Sequence, residues 1–281
     1  MNQTTSPRSL AAPALTLALA GFIFVYRPTM LWLWERWTLS VWHHAHGLMI
    51  PPLVAYFCYL ELREARHEQA RGSALGFLLL VPALLLHVFD TGMHTQLLSA
   101  ASIVLALPGL SLLFLGTSKT RRILFPLVFM AFMLPLPLAL TQSIHLALRS
   151  VAADATSVIL KFMGLPVFQE GFTLHLPNAS LLVADACSGF STLYASLALA
   201  TLLAYTTPSL SRKALVLVLA APVAIAANIV RVVLLSWLVH FQGTEVLSTW
   251  MHVGSGMLTF ALALPVLFWI GQSPARKGSE Q

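Results

Sequence analysis

Apolar residues along this chain come in long runs rather than in amphipathic stripes. Stretches at about 9–26, 47–62, 73–89, 96–116, 122–140, 187–206, 214–239 and 253–271 are strongly apolar and carry few charges. Each is near the ~20 residues that an α-helix needs to cross the hydrocarbon core of a bilayer. The pattern predicts an all-α, polytopic membrane bundle of about eight transmembrane helices. The first run lacks the charged-then-small layout of a cleaved signal peptide, so it is expected to remain as a helix. Prolines inside the runs do not argue against helices, because a bundle can satisfy the backbone groups they free.

Two stretches depart from the pattern. Residues 142–163 are apolar at helical spacing but carry His145, Arg149, Asp154 and Lys161. That suits an amphipathic helix lying in the membrane interface. Residues 168–183 hold two short apolar segments separated by Pro177-Asn178, which predicts a short extracytoplasmic hairpin before Cys187.

The polar loops give an orientation. Arg63, Arg66 and Arg71 follow the second run, and Lys119, Arg121 and Arg122 follow the fourth. Arg212 and Lys213 follow the sixth, Arg276 and Lys277 the eighth, and Arg8 precedes the first. Every second loop is basic, and basic loops stay in the cytoplasm. The expectation is a multi-pass protein of the inner, cytoplasmic membrane with both termini cytoplasmic. Residues 27–46, 90–95, 140–186 and 240–252 then lie outside.

Composition narrows the class further. Of 281 residues, 58% are hydrophobic and only 9% charged, against about a quarter charged in soluble domains. The net charge of +6 sits mostly in the short loops, where it orients helices, so the expected partner is the lipid bilayer and not nucleic acid. Two cysteines, Cys58 and Cys187, form neither a disulfide framework nor a zinc spacing, and no metal or cofactor is expected. No repeat or second domain is visible, so residues 1–281 read as one integral membrane domain.

Three residues could carry chemistry. Cys187 lies in Ala184-Asp-Ala-Cys-Ser-Gly-Phe, where the hairpin turns into the sixth run. A thiol at a helix N-terminus feels the positive end of the macrodipole, which favours the nucleophilic thiolate. Ser188 and Gly189 are small and leave room for a substrate, whereas Asp185, a candidate N-cap, would oppose the thiolate. By position alone, a free cysteine is more often a small buried hydrophobe. Arg231 lies deep in the seventh run, where a charge costs several kcal/mol and marks a functional site by default; Asn228, three residues earlier, shares its helix face. His252 opens the eighth run, at the same membrane face as Cys187. The set suits acyl transfer: a thiolate attacks a carbonyl, a histidine protonates the leaving amine and a guanidinium stabilises the oxyanion.

Two other classes compete. Arg231 and Asn228 could line the polar pathway of a transporter or stabilise an assembly scaffold, although the seventh run is not broken by glycine and no inverted repeat appears. Nine histidines (His43, His44, His46, His87, His94, His145, His175, His240 and His252) lie outside or near the outer ends of runs, and Asp90 stands one helical turn from His94. That allows an extracytoplasmic metal or haem site, but no pair has strong ligand spacing, and histidine is common at interfaces.

The C-terminal half, about 130–256, resembles the exosortase/archaeosortase family. The likeness runs from Phe132-Met-Leu-Pro-Leu-Pro through Gly164-Leu-Pro-Val and Gly171-Phe-Thr-Leu-His-Leu-Pro. It continues through Val183-Ala-Asp-Ala-Cys-Ser-Gly and Ala227-Asn-Ile-Val-Arg to His252 and the glycines after it. The resemblance implies an exosortase-like catalytic core over 121–271, with residues 1–120 less specific. It implies a membrane-embedded cysteine protease or transpeptidase with Cys187, Arg231 and His252 as its catalytic residues. Its substrates would be exported, membrane-anchored proteins with a C-terminal sorting signal of the PEP-CTERM type: a short motif, a hydrophobic helix and a basic tail. Asp185 departs from the small residue usual beside the cysteine.

Overall fold

Residues that bring no polar side chains leave the backbone to satisfy itself, and in an apolar solvent it does so as helix. The computed structural model describes residues 7–38, 46–184, 187–248 and 250–272. They form α1 (Pro7–Thr38), α2 (His46–Glu64), α3 (Phe77–Met93), α4 (Leu97–Phe129), α5 (Leu138–Phe162), α6 (Phe190–Thr206), α7 (Leu210–Gln242) and α8 (Trp250–Gly271). Between α5 and α6 stand β1 (Phe168–Glu170), β2 (Thr173–Leu176) and β3 (Ala179–Leu182). The protein is an all-α, multi-pass membrane bundle. Among the described residues, six helical stretches are long and apolar enough to cross a membrane. The chain divides into two compact units, Met1–Pro135 and Leu136–Gln281.

The first unit corrects three expectations. Helix α1 does not stop near residue 26 but runs on to Thr38. Tyr26, Thr29 and Leu33 are buried at helical spacing, and Trp37 Nε1 donates to the Met133 carbonyl at 3.0 Å. Packing of that face carries the helix past its most apolar stretch. The fourth and fifth predicted runs are joined in α4 at a sharp break, Gly116, with φ 80° and ψ 179°. A Cβ at Gly116 would press into the Arg71 carbonyl, so glycine is required there on two counts. The second limb ends at Phe129 and a 3₁₀ turn over Met130–Met133, not at 140. Pro135 and Pro137 stand just beyond and disfavour helix in the residues before them.

Asp90 and His94 do not stand as metal ligands. His94 and Gln96 both have positive φ in the tight turn between α3 and α4. The Asp90 carboxylate accepts the Ser99 amide at 2.9 Å and the Thr95 hydroxyl, and so caps the start of α4. Among the described residues no three His, Cys, Asp or Glu side chains gather as a metal site.

In the second unit the predicted hairpin has one more strand. The sheet order is β1-β2-β3, antiparallel throughout, with Phe168 opposite His175 and Leu174 opposite Leu181. Gly171 with its positive φ turns the chain between β1 and β2, and Pro177-Asn178 turns it between β2 and β3. The sheet packs on one end of α7. Leu174, Leu181 and Val183 bury with Ala152, Ala153 and Leu160 of α5 and Val232, Leu235 and Val239 of α7. The opposite end has its own cluster, with Ala200 and Ala204 of α6, Val216 and Ala220 of α7, and Leu267 of α8. Helix α5 is long and apolar enough to cross a membrane, yet it contributes to the first cluster and not to the second.

Candidate active site

The sheet feeds directly into the segment that carries Cys187. Helix α6 begins at Phe190, with Gly189 as its N-cap residue, so Cys187 stands three residues ahead of the helix rather than on its first turn. Asp185 lies outside the described residues; the N-cap place expected for it is filled by Gly189. At φ 85° Gly189 takes a left-handed conformation, and a Cβ there would come within 2.5 Å of Asn228 Cγ. Glycine therefore lets the chain turn and lets α7 approach.

Helices α5 and α7 hold this segment. Arg149 of α5 donates from Nε to the Val183 carbonyl at 2.8 Å, and its guanidinium lies 4.2 Å from the Phe172 ring centroid. Asn228 of α7 donates from Nδ2 to the Cys187 carbonyl at 3.1 Å. His145 of α5 places Nδ1 2.7 Å from Ser188 Oγ, and the same oxygen accepts the Phe190 amide at 3.3 Å. The Cys187 amide donates to the Ala184 carbonyl at 2.8 Å.

Arg231 lies one turn beyond Asn228 on α7. Its Nε donates to Ser255 Oγ of α8 at 2.9 Å, and its guanidinium lies beside Gly256. Cys187 is 4% exposed and Arg231 7%. Burial pushes the Cys187 thiol above its ordinary range, and the Arg231 charge pulls it back only in part. The macrodipole advantage expected from sequence is thus outweighed by desolvation. The thiolate's electrostatic partner is the guanidinium.

The structure therefore brings together Cys187, Ser188, Gly189, Asn228 and Arg231. His252 lies in the first turn of α8, three residues before Ser255, and its side chain lies outside the described residues. Sequence reasoning missed the roles of His145 and Arg149. Their four-residue spacing on an apolar helix was the available signal, because it puts both on one face.

The fold defines a polytopic helical membrane protein, and the site defines it as one with a buried cysteine–arginine centre beside a small sheet. A family model described as transmembrane exosortase matches residues 34–269, and the chain belongs to that family. Comparison with curated proteins and with solved structures finds no match. Family membership supports a membrane role of the protease or transpeptidase kind and a cysteine-peptidase-like enzyme class.

Proposed function

We propose that the protein cleaves the C-terminal sorting signal of exported, membrane-anchored proteins, with Cys187 as nucleophile and a thioester acyl-enzyme as intermediate. The observation that carries this reading is a thiol and a guanidinium, Cys187 and Arg231, buried in one site, where the guanidinium charge favours the ionised thiol, on a segment fixed by Asn228. The thiolate attacks the carbonyl at the cleavage point. Arg231, held through Nε by Ser255, stabilises first the thiolate and then the oxyanion. His252 protonates the leaving amine, and water or a carrier nucleophile releases the product.

The same reading places the site at the extracytoplasmic face. Arg212 and Lys213, near the start of α7, belong to the end away from the sheet, and basic loops favour the cytoplasm. A substrate whose C-terminal helix halts with its basic tail inside presents its motif at the outer interface, the level proposed for Cys187. Helix α5 is then a helix of that outer end rather than a crossing, in keeping with its place in one cluster alone.

Cys187→Ala is the test. Co-expressed with a substrate bearing such a signal, the variant should leave full-length substrate in the membrane. Wild-type enzyme quenched in acid should yield a thioester at Cys187 by mass spectrometry, cleaved by hydroxylamine. Normal processing by Cys187→Ala would overturn the mechanism.

A further inference from the structure

We propose that the outer edge of β3 binds the substrate's main chain just before the cleavage point, as an added strand that leads into Cys187; the inference rests on the proteolytic reading above. The edge strands of the sheet are β1 and β3. The β1 edge lies against α5, where Gln169 donates from Nε2 to Asp154 at 2.6 Å. The β3 edge belongs to the strand that continues toward the cysteine.

The register says what that edge offers. In an antiparallel pair, residues that exchange hydrogen bonds alternate with residues that do not. The Val183 amide donates to the Phe172 carbonyl at 2.9 Å, and Leu174 stands opposite Leu181. Val183, Leu181 and Ala179 therefore bond toward β2, while Ser180 and Leu182 turn their amides and carbonyls the other way. The Leu182 carbonyl accepts the Ala184 amide at 2.9 Å, which ends the edge. Two donors remain, the Ser180 and Leu182 amides, with one acceptor, the Ser180 carbonyl. Both residues are exposed, Leu182 at 53%. The nearby 3₁₀ turn, Thr244–Ser248, packs through Leu247 into the cluster beneath the sheet.

Outward main-chain groups in a row are a template for another extended chain. Continuity with the site names the occupant. Cys187 follows Leu182 by five residues, a reach of at most about 18 Å. A chain lying on Ser180 and Leu182 therefore meets the sulfur within about five extended residues of its own. In the proposed orientation β3, Cys187 and α6 run in order from the outer end inward. A substrate that descends from its exported part into its own membrane helix runs the same way, so it pairs parallel to β3. One substrate residue then gives its amide to the Ser180 carbonyl and accepts the Leu182 amide. The residue two before it accepts the Ser180 amide. The edge thus selects an extended segment through its main chain, whatever its side chains.

The test separates a main-chain contact from a side-chain one. Enzyme and an exported reporter ending in a PEP-CTERM-type signal are reconstituted together in liposomes, and kcat and KM for processing are measured. Leu182→Pro deletes the outward amide and no ladder bond, and edge positions tolerate proline. Leu182→Ala removes the side chain and keeps the amide. The proline variant should raise KM roughly tenfold, the upper end for one hydrogen bond, with kcat little changed, and the alanine variant should stay near wild type. Equal KM values for the two variants overturn the proposal. Should the proline variant fail to accumulate, the substrate carries the test: esters replace single amides of the reporter, one at a time, two or more residues before the cleavage point. The ester that removes the amide aimed at the Ser180 carbonyl should slow processing several-fold while its neighbours do not, and a flat scan overturns the proposal. If wild-type enzyme leaves the reporter whole, or Cys187→Ala processes it, the proteolytic reading itself fails. If only wild-type enzyme processes it and the variants and scan show no difference, the edge alone fails.

Discussion

A guanidinium among apolar helices costs several kcal/mol unless something holds it, and Arg231 is held at Nε by Ser255. The planar fork lets one nitrogen anchor the side chain and leaves the others for the proposed oxyanion role. Lysine has a single ammonium on a flexible stem and cannot do both. Arg231→Lys should therefore lower kcat roughly a hundredfold, the scale of a lost oxyanion donor, with little change in KM and normal accumulation in the membrane. Steady-state kinetics on a peptide spanning the cleavage motif would check it, and full activity in the lysine variant would reduce the role of Arg231 to charge alone. Arg231 was legible in the sequence because the cost of a charge in an apolar run needs no tertiary information. His145 was not, because a histidine on an apolar helix reads the same whether it meets lipid headgroups, solvent or a serine.

The elements follow the apolar runs where packing does not intervene and depart from them where it does. Helix α1 is extended by a buried face, and α4 is broken without a loop at Gly116. The short polar stretch after Gly116 looks like a connection in sequence, but its residues stay helical. Ser118 and Arg122 bond to Glu68 there, the arginine at 2.7 Å, and these two hydrogen bonds hold the half-buried Glu68 carboxyl below its ordinary range. Gly116→Ala tests the break. The residue has φ 80° and no space for a Cβ, so the variant should lose about 1–3 kcal/mol, the usual cost of a backbone forced into a sparsely populated region. The loss would be read as a lower Tm in detergent, and an unchanged Tm would mean that the break is not rigid. Helix α5 shows the same limit from the other side. Its polar residues His145 and Arg149 suited an amphipathic helix in the membrane interface, yet they turn inward onto Ser188 and Val183, while Leu146, Val158 and Phe162 are exposed.

At the scale of the whole molecule, the proposed orientation makes a prediction that separates the site from the basic loops. Reporter fusions at residues 68, 118 and 210 should be cytoplasmic, and fusions at 178 and 244 should be exported. A cytoplasmic signal at 178 would mean that α5 crosses the membrane and that Cys187 opens to the other side. The amino-acid sequence by itself determined that this is a helical membrane protein, because so few charged residues cannot cover a soluble surface and runs of apolar residues have one stable form in lipid. It also pointed to Cys187, Asn228 and Arg231 as the candidate site, because a motif and a misplaced charge are local facts. Only the tertiary structure decided where the helices break, that the sheet has three strands, and that His145 and Arg149 hold the cysteine's segment. The reason is physical: periodicity decides which residues share a face, but the partner that face meets is set by elements distant in the chain.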